Sequence, residues 1–293
     1  MKTIKLNLPG ILVAVIFIMI ALFACQKEVS FTNGNIPGKS RLSVFLTDGP
    51  YDFQQVKVEV LGIEVKIDTC RHMEDDDHDD DQPGCDDDHD SLRINCDVWN
   101  TLQVHPGIYD LLKLRNGLDT LLASGFVLHG KIERIKIILG TGNTVMVDSV
   151  VHPLHLMGNR NFVFVNIHKE HVDSVSSYNF NLFLDFNLFH SIKLINGEYW
   201  LKPVIKPFGE HSSGEIEGKV RPEHSFGIIK AYNATDTSFA VPEDEGGFKI
   251  RGLKDGMYNL FVAGINGYRD TTINNINVRR GSETELGAIY MRR

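Results

Sequence analysis

The chain has 293 residues, 42% of them hydrophobic, which is enough for a packed core and suggests about two domains. Its formal net charge is −8, yet eleven of its 38 acidic residues fall between Glu74 and Asp90, a span without Lys or Arg. The rest is close to neutral and forms no basic patch, so nucleic acid is excluded as the expected partner.

Lys2 and Lys5 precede an apolar run, Ile11 to Phe23. That run is short for a membrane span and has the flanks of a secretory signal. It ends in Leu22-Phe23-Ala24-Cys25. This resembles the bacterial lipobox, in which a small residue precedes a cysteine that is lipidated and becomes the mature N-terminus. The resemblance implies a signal peptide over 1–24, palmitate at Cys25 and a lipid bilayer as partner. An ordinary signal peptide with an incidental cysteine is the alternative. Gln26-Lys27-Glu28 is similar to part of a surface-export signal of outer-membrane lipoproteins. The expected location is the cell envelope, as an outer-membrane lipoprotein facing the periplasm or the surface. Residues 25–40 are polar with Gly and Pro and read as a flexible tether.

From Leu42 the apolar period changes to two. Leu42, Val44 and Leu46 alternate with Ser43, Phe45 and Thr47; Val56, Val58 and Val60 alternate with Lys57 and Glu59. Period-2 alternation predicts strands with one buried face. At Leu61-Gly62 the phase slips by one, after which Ile63, Val65 and Ile67 carry the apolar set, so a β-bulge is expected there. Val98 to Val104, Lys131 to Leu139, Thr144 to Val147, Phe162 to Ile167 and Phe180 to Phe186 also read as strands. Asp119 to Ser124 reads as a helical turn, with a short strand as the alternative. Asn116-Gly117 and Asn196-Gly197 favour type I′ turns. Ser191 to Ile195 and Glu198 to Ile205 form a hairpin around the second, with Pro203 confining its last strand to an edge or an end. Many short strands between turn signals predict an antiparallel sandwich or barrel.

The LSVFLTDGP start, the VKVEV strand, the YDLLKLRNG segment, the FNLFLDFN strand and the SIKLINGEYWLKPVI close resemble the bacterial domain of unknown function 4382, over roughly Arg41 to Pro207. That implies an all-β secreted or lipid-anchored module and no activity. Beyond it, Gly218 and Val220, Gly247-Phe248, Leu253, Gly256, Tyr258 and Leu260, Gly267-Tyr268, and Gly281 and Leu286 resemble the carboxypeptidase regulatory-like domain. This implies a seven-stranded transthyretin-like sandwich, a fold shared with starch-binding modules. The expected organisation is all-β, two sandwich-type domains in tandem at 41–208 and 209–293. Tyr232, Phe239, Tyr258 and Tyr268 are candidates for stacking on sugar, with core packing as the alternative.

An acidic insert interrupts the first domain between residues 70 and 96. It reads EDDDHDDDQPGCDDDHD from Glu74 to Asp90. Carboxylates this dense repel one another, and Asp and Gly bury no apolar area, so the segment is expected extended. Divalent cations relieve that repulsion. The candidate ligands are Asp75, Asp77, His78, Asp79, Asp81, Asp86, Asp88 and His89. Oxygen donors suit Ca2+ or Mg2+, and the histidines suit zinc, nickel or copper. Loose cation uptake and a solvated, silent loop are the competing readings, and the frame of an EF-hand is missing. After Cys25 is lipidated, Cys70, Cys85 and Cys96 remain. Cys70 and Cys96 stand at the feet of the insert and are expected to pair in an oxidising compartment. Three free thiols, with Cys85 joining the histidines on a metal, are the alternative.

The sequence shows no Gly-x-Ser-x-Gly elbow, Gly-rich phosphate loop or His-Glu-x-x-His pair. Asp110 and Asp185 lie in strand-like runs and are expected to cap turns or face solvent. The expectation is a non-enzymatic, lipid-anchored binding or adhesion module whose acidic loop recruits cations or a basic protein surface. A carbohydrate-binding accessory lipoprotein, using the C-terminal sandwich on a glycan, is the alternative.

Overall fold

The computed structural model describes residues 36–49, 53–70, 96–158, 160–168 and 179–293. Up to residue 209 the strands are β1 (Lys39–Gly49), β2 (Gln55–Asp68), β3 (Asp97–Thr101), β4 (Gln103–Val104), β5 (Gly107–Asp110), β6 (Thr120–Leu128), β7 (Lys131–Leu139), β8 (Thr144–Val147), β9 (Val150–Leu156), β10 (Phe162–Asn166), β11 (Asn179–Asn187), β12 (Ile192–Ile195), β13 (Glu198–Leu201) and β14 (Ile205–Gly209). A 3-10 turn, Leu111–Lys113, and a one-turn helix, α1 (Leu188–Ser191), complete this half. One sheet has the order β14-β11-β1-β6-β4. The other runs β10-β7-β2-β8-β9-β13-β12, with β3 and β5 also paired to β2.

The alternating apolar residues explain why two sheets form. Leu42, Val44 and Leu46 of β1 and Leu182, Leu184 and Phe186 of β11 share one cluster with Val56, Val58, Ile63, Val65 and Ile67 of β2. Burial of each such side chain contributes about 1.5–3 kcal/mol. The ladder between β2 and β7 shifts register between Val60 and Gly62, and Leu61 turns outward. The bulge keeps Ile63, Val65 and Ile67 on the inner face.

Two local expectations are corrected. Asp119 to Ser124 is not helical: Thr120 begins β6, which pairs with β1 on one side and β4 on the other. The exposed ladder of β1 satisfies more backbone groups than an isolated turn does. The expected strand from Glu198 to Ile205 stops at Leu201; Lys202 and Pro203 carry the chain across, and β14 joins the opposite sheet beside β11. The pairing is also not purely antiparallel, since β1 runs parallel to β11 and β9 to β13.

From Gly214 the strands are β15 (Gly214–Arg221), β16 (Phe226–Tyr232), β17 (Thr237–Ala240), β18 (Gly247–Leu253), β19 (Gly256–Gly264), β20 (Thr271–Val278) and β21 (Glu283–Tyr290). They form two sheets, β18-β15-β21 and β17-β16-β19-β20, around a second core that includes Ile216, Val220, Ile250, Tyr258, Leu260 and Val278. The chain is thus all-β with sandwich-type packing. Residues 36–293 form one compact unit. Among the described residues, no helix is long and apolar enough to cross a membrane.

Candidate functional site

The feet of the acidic insert are held side by side. Asp68 at the end of β2 pairs with Asp97 at the start of β3, followed by Ile67 with Val98 and Lys66 with Trp99. Beyond the ladder the Thr69 amide donates to the Cys96 carbonyl at 3.1 Å, and the Thr69 hydroxyl donates to the same oxygen at 2.8 Å. A disulfide joins Cys70 to Cys96 with 5.3 Å between their Cα atoms. The segment between them leaves and returns at adjacent points. Its candidate ligands, Asp75, Asp77, His78, Asp79, Asp81, Asp86, Asp88 and His89, lie outside the described residues, as do Cys85 and the lipobox Cys25. At the feet, a carboxylate oxygen of Asp68 and the sulfurs of Cys70 and Cys96 lie within 4.8 Å of one another. While the sulfurs are bonded they are not thiolate ligands, so this group offers a cation one carboxylate.

Beside the feet, the outer face of the larger sheet carries an aromatic surface. The Trp99 and Phe164 rings lie 6.2 Å apart, and Phe162 meets Phe164 edge-on at 5.1 Å. Trp99 and Phe164 are 44% and 40% exposed. Cations brace the rings: Arg134 lies 5.2 Å from Phe164, and Lys136 lies 5.2 Å from Phe162. Lys66, between Trp99 and Arg134, is bonded to Asp97 and Glu133, and those hydrogen bonds raise its pKa.

The second charged locus joins the two cores. Phe45, Phe183 and Phe208 stack across β1, β11 and β14 at 5.1 Å per step. One row further along the sheet, Thr47, Asp185 and Lys206 are cross-strand neighbours. Arg251 of β18 lies over this surface, 4.3 Å from the Phe183 ring and 2.9 Å from Asp119. Lys206 reaches across to Asp236 at 2.8 Å. Asn116 and Gly117 both have positive φ and form the turn that docks here. The Asn116 amide donates to the Val241 carbonyl at 2.8 Å, and the Gly117 carbonyl accepts from Arg251 at 3.4 Å. Gly252, at φ +70°, lets the backbone approach Phe208: a Cβ there would lie 2.7 Å from the ring.

Electrostatics at the joint follow from burial. Burial pushes the Asp185 carboxyl up to about 6, against the pull of Lys206 and Arg251. Burial acts the same way on Asp236, but Lys206 and a hydrogen bond from Tyr258 outweigh it and hold that carboxyl low. Tyr258 is itself raised, by burial and by Asp236. Its ring is core and its hydroxyl donates to Asp236 at 2.7 Å, so it is not free to stack on a ligand. Tyr268 packs against the second core, and Tyr232 lies beneath Lys230. Asp110 accepts from Gln55 at 3.0 Å. Asp185 does not face open solvent as the alternation suggests, because the second core covers that face of β11.

The model of the family described as domain of unknown function, DUF4382, matches residues 39–203, more than half of the chain. The chain belongs to this family. The DUF4382 domain therefore contains the disulfide feet, the aromatic face and the Asp185 side of the joint. No curated protein matches the chain. Among solved structures, it is similar to a type II cohesin-X-dockerin complex from Acetivibrio cellulolyticus, at 22% identity over 27% of this chain. That match spans only 56% of the other chain, with a TM-score of 0.23. The minor pilin GBS52 of Streptococcus agalactiae is 10% identical over 87% of this chain and 96% of its own, with a TM-score of 0.22. The shaft pilin spaA of Lactobacillus rhamnosus GG is 8% identical over 87% and 97%, with a TM-score of 0.23. Likeness at these scores carries no argument about function.

Proposed function

We propose that this DUF4382 protein is a non-enzymatic binding or adhesion module of the cell envelope. A lipid on Cys25 anchors it in the outer membrane, and its polyacidic segment takes up divalent cations or a basic protein surface. The observation that carries this reading is the Cys70–Cys96 disulfide. Disulfides persist in oxidising compartments, which fits export. The bridge also confines both ends of a segment with eleven carboxylates to one edge of the sheet. Charge concentrated in that way favours multivalent counterions, calcium foremost, through oxygen ligands. The seven C-terminal strands support reading residues 209–293 as a carboxypeptidase regulatory-like, transthyretin-like sandwich, with 41–208 as the other module.

Calorimetric titration with calcium and zinc tests the cation reading. The full chain should take up more cation than a variant lacking residues 74–90, and equal uptake by both would end the idea. Palmitate labelling should mark the wild type and spare Cys25→Ser.

A second reading is carbohydrate binding, supported by the exposed Trp99–Phe164–Phe162 surface. Flat rings of this kind present apolar faces with polar groups at the rim. A glycan array should then show binding that Trp99→Ala and Phe164→Ala each abolish. Absence of binding to every glycan at millimolar concentration removes this reading.

A further inference from the structure

We propose that Lys206 and Asp236 become joined by a self-catalysed amide bond that stitches the DUF4382 domain to the C-terminal sandwich, with Asp185 as the proton carrier. The reacting groups are already in contact. Lys206 Nζ lies 2.8 Å from Asp236 Oδ1, and their side chains are 23% and 9% exposed. Lys206 sits on β14 and Asp236 in the turn between β16 and β17, so the bond would tie one core to the other. Asp185 is the cross-strand neighbour of Lys206, which places their Cβ atoms about 5 Å apart on the same face of the sheet. The Tyr258 hydroxyl donates to the other oxygen, Asp236 Oδ2, at 2.7 Å.

A plain ion pair needs only the first two residues. The third carboxyl and the hydroxyl supply the remaining parts of an acyl transfer. Across their contact the Lys206 ammonium gives one proton to Asp236 Oδ1, and the resulting neutral amine attacks Cγ of the neutral acid. A C–N bond forms, and charge gathers on Oδ2, where Tyr258 already donates. Asp185 takes a proton from the new C–N nitrogen and delivers it to Oδ1. The Cγ–Oδ1 bond breaks and Oδ1 leaves as water. Lysine ends with one N–H in an amide, Asp185 ends as it began, and no oxidant or cofactor is consumed. Because burial raises the Asp185 carboxyl to about 6, it can both accept and return a proton near neutral pH. Contact between the partners in the folded state replaces a bimolecular encounter and removes its entropy cost.

Peptide mapping of the purified, denatured full-length protein tests this directly. The peptide containing Lys206 should be found linked to the peptide containing Asp236, with a mass one water less than their sum. Lys206→Arg and Asp236→Ala should each give only separate peptides. Asp185→Asn should also give separate peptides while its circular dichroism matches the wild type, so that the loss is one of chemistry and not of folding. Separate, unmodified peptides from the wild type overturn the proposal. A linked product from Asp185→Asn overturns the role given to that residue.

Discussion

Removing the Cys70–Cys96 bridge tests the reading of the acidic insert as a segment pinned at its base. The perturbation is the double variant Cys70→Ser with Cys96→Ser. The bridged residues are 26 positions apart, and loop-closure entropy for a ring of that size gives a loss of about 3.5 kcal/mol. The eleven acidic residues within the ring add to this. When the bridge is gone, their repulsion pushes the feet apart, and this part of the loss is larger at low salt, where the screening length is longer. Urea unfolding of wild type and variant at low and at physiological ionic strength measures both effects. Hydrogen exchange should show the loss first at Lys66 and Ile67, which pair with the start of β3. A midpoint change worth less than about 1 kcal/mol, or one that does not depend on salt, would refute the reasoning.

Three further outcomes follow from the joint. A carboxyl raised from 3.8 to about 6 corresponds to about 3 kcal/mol. The folded state binds that proton more tightly, so the contribution of Asp185 is greatest below about pH 4 and is lost as pH rises through about 6. In a Lys206→Arg background, which forms no amide bond, Asp185→Asn should therefore gain by up to about 3 kcal/mol between those limits, and parallel urea midpoints across the range would contradict this. Arg251→Ala loses the Asp119 ion pair and the Phe183 contact, at a cost of about 3 kcal/mol by urea unfolding. Arg251→Lys should recover little, because an ammonium does not stack as a guanidinium does. Gly252→Ala meets both a positive φ and the Phe208 ring; the expected loss is about 1–3 kcal/mol, read as a lower midpoint and faster proteolysis.

Most of the strand content is legible in the chain because β residues here have one buried face. β2 is the clearest case: Val56 to Ile67 show the period, the slip at Gly62 and the return of the period. The feet of the insert are legible from the position of two cysteines. The error at Asp119 to Ser124 has a physical cause. Its neighbours in the ladder, β1 and β4, are distant in sequence, and local propensity carries no trace of them. The joint is hidden for a similar reason. Alternation in β11 marks Phe183 and Asp185 as the outward set, and that is correct within their own sheet. Only a second core, contributed by residues from Ile216 onward, converts that outward face into an interior. The available signal was an aromatic and an acid side by side on a face expected to meet water.

The first strand of the described residues is also one of the most heavily paired. β1 is flanked by β11 in parallel and by β6 in antiparallel orientation, with nine and eight paired positions. Tension entering at Lys39 runs along the strand axis, across the hydrogen bonds and not in line with them. The ladders are then strained together in shear and do not open one rung at a time. With the lipid proposed for Cys25 in place, a pull on the anchor would meet both ladders at once.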